Sequence, residues 1–191
     1  WGPCLDGIPP QDWEAPDFDY IFAKLNSVGP GIDIAEICGG EAQTTRIAIR
    51  RHLRTGKNFD LVTHCDLTDP KQSADAWRYF DRNDVLCVVM APVCAPYGPM
   101  SNMTRHRYPD AWRRSESAVR PLAVFCGEVA LLQLRKGLHF IQEQPYPSKL
   151  YEVKPWPEIL RYHGVAQQVY DRCAAGLKVW TGEHKGLFIK K

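Results

Sequence analysis

Residues 84–98 read DVLCVVMAPVCAPYG and contain the strongest strand signal of the chain. The apolar run Val85–Met90 is bounded by Asp84 and by a proline-containing loop, which is typical of a strand buried on both faces. The loop carries Cys94 between two prolines. A cysteine held in this way at the end of a buried strand is a candidate nucleophile, although a small buried cysteine is the commoner outcome.

Strands and helices alternate on both sides of this stretch. Strands are predicted at residues 32–37, 59–65, 85–90 and 138–142, with later strands at 165–169 and 186–189. Helices are predicted at residues 20–28, 44–54, 69–80, 115–136 and 157–161. Alternation of this kind predicts an α/β fold with a doubly wound, mostly parallel sheet and right-handed crossovers.

Length and composition predict a single globular domain. The chain has 191 residues, 45% of them hydrophobic and 24% charged, which is ordinary for a protein with one buried core. We expect residues 1–31 to form an irregular N-terminal arm that packs on an α/β domain of residues 32–191. The first residue is not methionine, and we expect flanking domains of a longer polypeptide.

Cysteine usage and hydropathy narrow the function classes. The seven cysteines form no CxxC pair, and several lie inside apolar runs, as buried reduced thiols do. We therefore predict no disulfide framework, no metal site and an intracellular protein, nuclear or cytoplasmic. Neither a signal peptide pattern nor an apolar run near 18 residues is evident, so no membrane partner is expected.

The loop after the first predicted strand is acidic and then rich in glycine. It reads EICGGEA over residues 36–42 and opens a helix. Gly39 and Gly40 let a ligand approach the backbone closely, and amide groups at a helix start favour a carboxylate or phosphate. A plain strand-to-helix turn has the same features, so this loop alone leaves both interpretations open.

Two acids follow other predicted strands, and in parallel sheets ligands bind at such carboxyl ends. Asp66 ends the second strand, where a carboxylate can accept both hydroxyls of a ribose; a helix N-cap or a surface acid is the alternative. Glu143 follows the strand at 138–142, where a poorly solvated carboxylate can donate a proton. A salt-bridged residue at the rim is the alternative for Glu143.

Arginines gather shortly after Cys94. The segment 105–114 contains four of them, which are Arg105, Arg107, Arg113 and Arg114. Tyr108 and Trp112 are interleaved with these arginines. A protein with a net charge of only +2 that concentrates arginine beside its candidate nucleophile is expected to direct this charge at phosphates.

Taken in order, these loops resemble those of the DNA cytosine-5 methyltransferases that depend on S-adenosylmethionine (SAM). That family has an acidic-then-glycine loop, an acid after its second strand, a Pro-Pro-Cys loop and a later Glu-Asn-Val. The corresponding positions here are residues 36–40, Asp66, Pro92-Val93-Cys94 and Glu143-Gln144-Pro145. A nearer likeness is to methyltransferase-like domains of eukaryotic retroelement polyproteins, which have a late Asp-x-Cys-x-x-Gly-Leu segment similar to residues 171–177.

The resemblance covers residues 32–190 and implies a class I SAM-dependent methyltransferase (Rossmann-like) fold. It implies nucleic acid as the substrate, with DNA favoured over RNA, and the four arginines as contacts to its backbone. It also implies that the Cys94 thiolate attacks carbon 6 of a cytosine and that Glu143 assists at the ring nitrogen. The residues it implies for SAM binding are Glu36, Ile37, Cys38, Gly39, Gly40, Asp66, Leu67 and Pro92.

Departures from the family pattern keep other interpretations open. The second proline of Pro-Pro-Cys is Val93, and the first and third glycines of a full SAM loop are Cys38 and Ala42. Such changes are typical of a degenerate, inactive module that binds nucleic acid or a protein partner within a larger polyprotein. Methylation of an exocyclic amine is a third interpretation, but its usual Asp/Asn-Pro-Pro-aromatic loop is absent from the sequence.

Overall fold

The computed structural model describes residues 31–169, and residues 31–165 belong to one compact unit. Its centre is a sheet of four strands, which are β1 (Ile32–Ile37), β2 (Thr55–Phe59), β3 (Val85–Met90) and β4 (His139–Gln142). The strands are all parallel and lie in the order β2-β1-β3-β4. The predicted α/β class with a parallel sheet is therefore confirmed, and the sheet is compatible with a Rossmann-like fold.

The connections reverse direction at the middle of the sheet. From β1 the chain moves outward to β2, and it then crosses back to place β3 on the other side of β1. In register, Glu36 lies opposite Val89, which lies opposite Ile141 of β4. The carboxyl ends of β1 and β3 therefore flank the point of reversal, where open α/β sheets bind ligands.

Helices fill the connections. The α-helices are α1 (Gln43–Arg50), α2 (Pro70–Arg82), α3 (Ser101–Arg107), α4 (Pro109–Arg135) and α5 (Trp156–Ile159), with short 3-10 helices at Leu61–Thr63 and Lys149–Glu152. Asp69 caps α2 through hydrogen bonds from two backbone amides, and Pro70 occupies its first turn, as predicted. Gly137 follows α4 with a φ of 68°, the left-handed conformation expected at a helix stop.

The second strand was predicted wrongly at 59–65; it runs from Thr55 to Phe59. Asp60 ends it, because its side chain accepts a hydrogen bond from the Val62 amide and its own amide bonds Thr63. This capping box turns the apolar residues Leu61–Thr63 into a 3-10 helix. Strand β2 itself is polar because it lies at an edge of the described sheet.

Two helix boundaries differ from prediction by four residues or more, and one predicted strand is absent. Helix α1 ends at Arg50, four residues early, and the Arg54 side chain instead forms an ion pair of 2.5 Å with Asp33. Helix α4 begins at Pro109 rather than at residue 115. Residues 165–169 form no strand. The predicted helix at 20–28, the predicted strand at 186–189 and all but the last residue of the predicted arm at 1–31 lie outside the described residues.

Helix α4 is the principal helix of the core. Its fully buried Gln133 donates hydrogen bonds to the carbonyl oxygens of Val85 (2.7 Å) and His139 (2.8 Å), which ties the first residues of β3 and β4 together. By length and composition alone, α4 is also apolar enough to span a membrane. The core helices of soluble proteins pass the same test, and 44% of the 18-residue apolar stretch of α4 is buried inside the fold. The expectation that the chain has no apolar run near 18 residues does not hold for this helix.

A glycine allows the closest packing on α4. A Cβ atom on Gly127 would lie 2.6 Å from Pro155 Cδ, and beside it the Trp156 indole donates a hydrogen bond of 2.9 Å to the Ala123 carbonyl. Trp156 is buried against Phe140 and Tyr151. Pro155 and Trp156 are thus packed into the core, which holds the loop between β4 and these two residues in place.

Gly127→Ala is expected to lower the free energy of unfolding by about 1 kcal/mol or more. Overpacking of a filled core typically costs about 1–3 kcal/mol, and an approach of 2.6 Å to a proline ring falls in the upper part of this range. The better helix propensity of alanine, roughly 1 kcal/mol, therefore offsets only part of the cost. Urea unfolding of the variant measures the change. Ser117→Ala, at an exposed position on the same helix, is the control and is expected to stay within about 0.5 kcal/mol of the parent. An unchanged or raised stability of Gly127→Ala would contradict the packing.

Candidate functional site

Three loops meet at the carboxyl edge of the sheet: the glycine loop (residues 38–42), the Cys94 loop (residues 91–98) and the Glu143 loop (residues 143–148). They follow β1, β3 and β4, which are neighbours in the sheet. The ladder continues past the strand ends, because the Ala91 amide bonds the Ile37 carbonyl at 3.1 Å and the Glu143 amide bonds the Met90 carbonyl at 2.9 Å. The three loops therefore begin side by side.

The Cys94 loop is a tight turn. The amides of Tyr97 and Gly98 both donate to the Cys94 carbonyl, at 2.9 and 2.8 Å. Pro92 and Pro96 are buried on either side of Cys94, which is itself half-buried. The predicted combination of a rigid loop and a partly accessible thiol is what the structure contains.

The Glu143 loop is bound directly to the Cys94 loop. Gln144 Nε2 donates a hydrogen bond of 2.7 Å to the Pro92 carbonyl, and Ser148 Oγ lies 3.2 Å from Gln144 Oε1. Pro145 packs against Gly98, where a Cβ atom would lie 3.8 Å from Pro145 Cγ. The structure thus brings together the two elements that carry the predicted catalytic residues.

The glycine loop is held by side chains of β2 and the residue after it. Asn58 Oδ1 accepts from the Gly39 amide at 3.2 Å, and Asn58 Nδ2 donates to the Gly40 carbonyl at 3.0 Å. Asp60 Oδ2 accepts from the Gly40 amide at 3.0 Å. A Cβ atom on Gly40 would meet nothing within 4 Å, so the outer side of this residue is open.

Glu36, predicted to bind a cofactor, lies behind the glycine loop. Its carboxylate is buried and accepts hydrogen bonds from the amide (2.6 Å) and the hydroxyl of Thr45 in the first turn of α1. A Cβ atom on Gly39 would collide with Glu36 Oε2, so only glycine fits there. Glu36 therefore supports the loop from within, which is a different position from the one expected.

The remaining predicted cofactor residues take varied positions. Ile37 and Leu67 are buried in the core, so their side chains face away from solvent. Asp66 lies beyond the 3-10 helix, and hydrogen bonds from the Thr68 hydroxyl and amide lower its pKa below the usual range. Because β2 ends at Phe59, the acid that directly follows it is Asp60 and not Asp66.

Asp60 is a residue that the sequence interpretation missed. Its position offered a signal, since it follows Gly40 by 20 residues, a common separation between a glycine loop and the acid that holds a ribose. The misplaced strand hid this signal. Asn58 was also missed, and no local pattern marks it, because it acts through contacts with a loop 18 and 19 positions away in the sequence. Gln144 lies in the Glu143-Gln144-Pro145 motif, but its contact with Pro92 was not predicted.

The arginine segment connects to the Cys94 loop through a tryptophan. The Arg105 guanidinium lies 4.8 Å from the centre of the Trp112 ring, and the Trp112 indole N–H donates to the Pro96 carbonyl at 3.1 Å. Arg113 pairs with Asp110 at 2.9 Å. Arg105 is thus the predicted nucleic-acid contact with the most direct connection to the candidate nucleophile, while Arg107 and Arg114 are exposed beside it.

Desolvation raises the pKa of three other thiols of the described segment, Cys38, Cys87 and Cys126. Desolvation by burial, with Asp60 and Cys65 nearby, raises the pKa of Cys38 to about 12. Burial raises the pKa of Cys87 to about 11 and that of Cys126 well above its usual value. These three thiols are protonated at neutral pH, so they are poor nucleophiles.

No group of three or more His, Cys, Asp or Glu side chains within residues 31–169 could hold a metal ion. Comparisons of the chain with protein-family models, with curated proteins and with solved structures found no match.

Iodoacetamide at pH 8 is expected to modify Cys94 several times faster than Cys38, Cys87 or Cys126. A thiol with a raised pKa forms thiolate only as the pH approaches that pKa, so labelling of Cys38 and Cys87 should grow toward pH 11. Peptide mapping by mass spectrometry over time measures each rate in the folded chain, and the same reaction in urea is the control. Equal rates for Cys38 and Cys94 in the folded chain would contradict this site.

Proposed function

We propose that this chain is a SAM-dependent methyltransferase that modifies carbon 5 of cytosine in nucleic acid, DNA favoured over RNA, through a covalent adduct with Cys94. The observation that carries the proposal is the bond from Gln144 to the Pro92 carbonyl, which joins the loop of a thiol to the loop of a carboxylate on the neighbouring strand. A nucleophile and a proton donor that must act on one base need such a fixed relation.

Three features at the carboxyl edge of β1 and β2 support the binding of SAM there. Gly40 leaves the backbone open to close approach, and Asp60 contacts the same loop, where a carboxylate can accept ribose hydroxyls. Leu61 follows Asp60 and is 70% exposed, which leaves an apolar surface for an adenine ring. This set supports a class I methyltransferase fold, with Asp60 in the role first expected of Asp66. When bound, SAM supplies an electrophilic methyl group at this edge of the sheet.

The protein residues supply the activation of the base. The Cys94 thiolate adds to carbon 6 of cytosine, Glu143 provides a proton at the ring nitrogen, and carbon 5 becomes nucleophilic. Carbon 5 then takes the methyl group, and S-adenosylhomocysteine is released. Water accepts the carbon 5 proton as the thiolate is eliminated, and the ring nitrogen returns its proton to the Glu143 carboxylate, which restores the ring. The base must be unstacked for this addition, either flipped out of a duplex or presented in a single strand.

One observation favours the rival interpretation, a degenerate module without catalysis. The backbone amides of the two glycines already donate hydrogen bonds, Gly39 to Asn58 Oδ1 and Gly40 to Asp60 Oδ2. A loop closed on β2 in this way offers fewer donors to a cofactor. SAM titration by calorimetry separates the two, because an inactive module with a closed loop gives no heat of binding.

Asp60→Ala is expected to weaken SAM binding by about tenfold or more, and Asp66→Ala by much less. The reason is that Asp60 contacts the glycine loop, whereas the Asp66 side chain accepts hydrogen bonds from Thr68. A lost hydrogen bond between charged and neutral groups is worth about 1.5–3 kcal/mol, which is tenfold or more in affinity. Isothermal titration calorimetry measures both variants. A larger loss for Asp66→Ala would return the ribose role to Asp66.

Cys94→Ser is expected to lower methyl transfer to cytosine by a factor on the order of 10³ or more, because it removes the nucleophile. Incorporation of radiolabelled methyl groups into cytosine-containing DNA is the measurement. Cys65→Ser, which changes another partly exposed cysteine at the edge of the sheet, is the matched control and should retain activity. If Cys94→Ser methylates cytosine as well as the parent, Cys94 is not the nucleophile.

A further inference from the structure

An exposed stripe runs along α3, directly after the Cys94 loop. It consists of Met100, Met103, Arg107 and Tyr108. Met100, Met103 and Arg107 are spaced i, i+3 and i+7, which places them on one face of the helix. The two methionines are 70% and 61% exposed, so large apolar side chains face solvent beside the candidate active site.

The stripe ends in a cation–aromatic pair. The Arg107 guanidinium lies 5.6 Å from the centre of the Tyr108 ring, and Tyr108 is 56% exposed. A ring in this position presents a π-face that a base can stack on, next to a charge that can reach a phosphate. The stripe thus combines the two groups that hold an unstacked nucleotide.

The charge around the stripe is mainly positive. Residues 100–114 contain four arginines and one acid, Asp110, so their formal charge is 4 − 1 = +3. That acid is paired with Arg113. The surroundings therefore complement a polyanion, although the whole chain carries only +2.

The stripe leads to Cys94. The Ser101 amide at the start of α3 bonds the Gly98 carbonyl at 2.9 Å, and the Gly98 amide bonds the Cys94 carbonyl. Seven residues of helix at 1.5 Å each extend the stripe about 10 Å from this loop. A strand on this stripe could place one base at Cys94 while its neighbours contact the methionines and Tyr108.

We propose that the exposed stripe binds single-stranded DNA and presents one of its bases to Cys94. This inference rests on the proposed function and names its substrate class. Exposed methionine and tyrosine side chains can stack only on bases that are not already stacked in a duplex, which favours a single strand. The choice of DNA over RNA follows the proposed function, which favours DNA.

Binding is tested with the full chain and a fluorescein-labelled 12-nucleotide strand, the same sequence as a duplex, and the same sequence as RNA. Fluorescence anisotropy at several salt concentrations gives the affinities. We expect the single DNA strand to bind at least about tenfold more tightly than the duplex at equal salt. Tyr108→Ala should lower single-strand affinity by about tenfold, the effect of one lost stacking contact, with little change for the duplex.

Two variants complete the design. Arg107→Ala should weaken binding of both forms and reduce the slope of log affinity against log salt by about 0.7 for the single strand, as expected for one lost phosphate contact. Tyr162→Ala is the matched control, because Tyr162 is 43% exposed and lies outside the stripe. It should leave every affinity unchanged.

Tighter binding of the duplex or of the RNA would overturn the inference, and so would a Tyr108→Ala variant that binds the single strand like the parent. Vesicles of phosphatidylserine and phosphatidylcholine form a further arm, since arginine beside exposed apolar side chains also suits a membrane surface. Vesicle binding that depends on Tyr108, without single-strand binding, overturns the proposal. Single-strand binding without methyl transfer leaves this inference intact and refutes only the proposed function.

Discussion

The site depends on the pairing of β3 with β1 on one side and with β4 on the other. Cys94 and Glu143 are 49 positions apart in the sequence, and the glycine loop lies about as far before Cys94. Parallel pairing brings all three to one edge because every strand ends there. The strand order reverses beside β1, because the connections of β1 and β3 leave in opposite directions, and open α/β sheets bind ligands at such a point.

Side-chain amides complete what the backbone begins. The Asn58 side chain accepts a hydrogen bond from the Gly39 amide and donates one to the Gly40 carbonyl. The Gln144 side chain donates a hydrogen bond to the Pro92 carbonyl. An amide side chain suits this task because it donates and accepts at once, so a loop carbonyl or amide that the sheet does not pair still finds a partner. The buried Glu36 carboxylate supports the same loop by accepting a hydrogen bond from the Thr45 amide at the start of α1. The loops at this edge are therefore fixed before any ligand arrives, which lowers the entropy lost when one binds.

The parts that could be predicted from sequence are those with local causes. Strand β3 follows from an uninterrupted apolar run, and the start of α2 follows from Asp69 and the proline after it. Strand β2 could not be found in this way, because an edge strand has polar residues on its exposed side. The strand was predicted instead at the apolar residues that follow, which the Asp60 cap turns into a 3-10 helix. The bond from Trp112 to Pro96 was out of reach for another reason: it depends on how α4 packs, which no local pattern encodes.

Whether the glycine loop can still serve a cofactor is decided by the capacity of Asp60. Its Oδ2 accepts from the Gly40 amide, its Oδ1 accepts from the Val62 amide, and in the capping box the side chain also accepts from the Thr63 amide, which accounts for three hydrogen bonds. A carboxylate has about four acceptor positions, so one ribose hydroxyl can be added without breaking any of them. The contact that closes the loop on β2 is therefore compatible with a nucleoside at the same carboxylate. The same contact also orients the Asp60 carboxylate. An oxygen that accepts a hydrogen bond from a fixed amide keeps its remaining acceptor position in a defined direction.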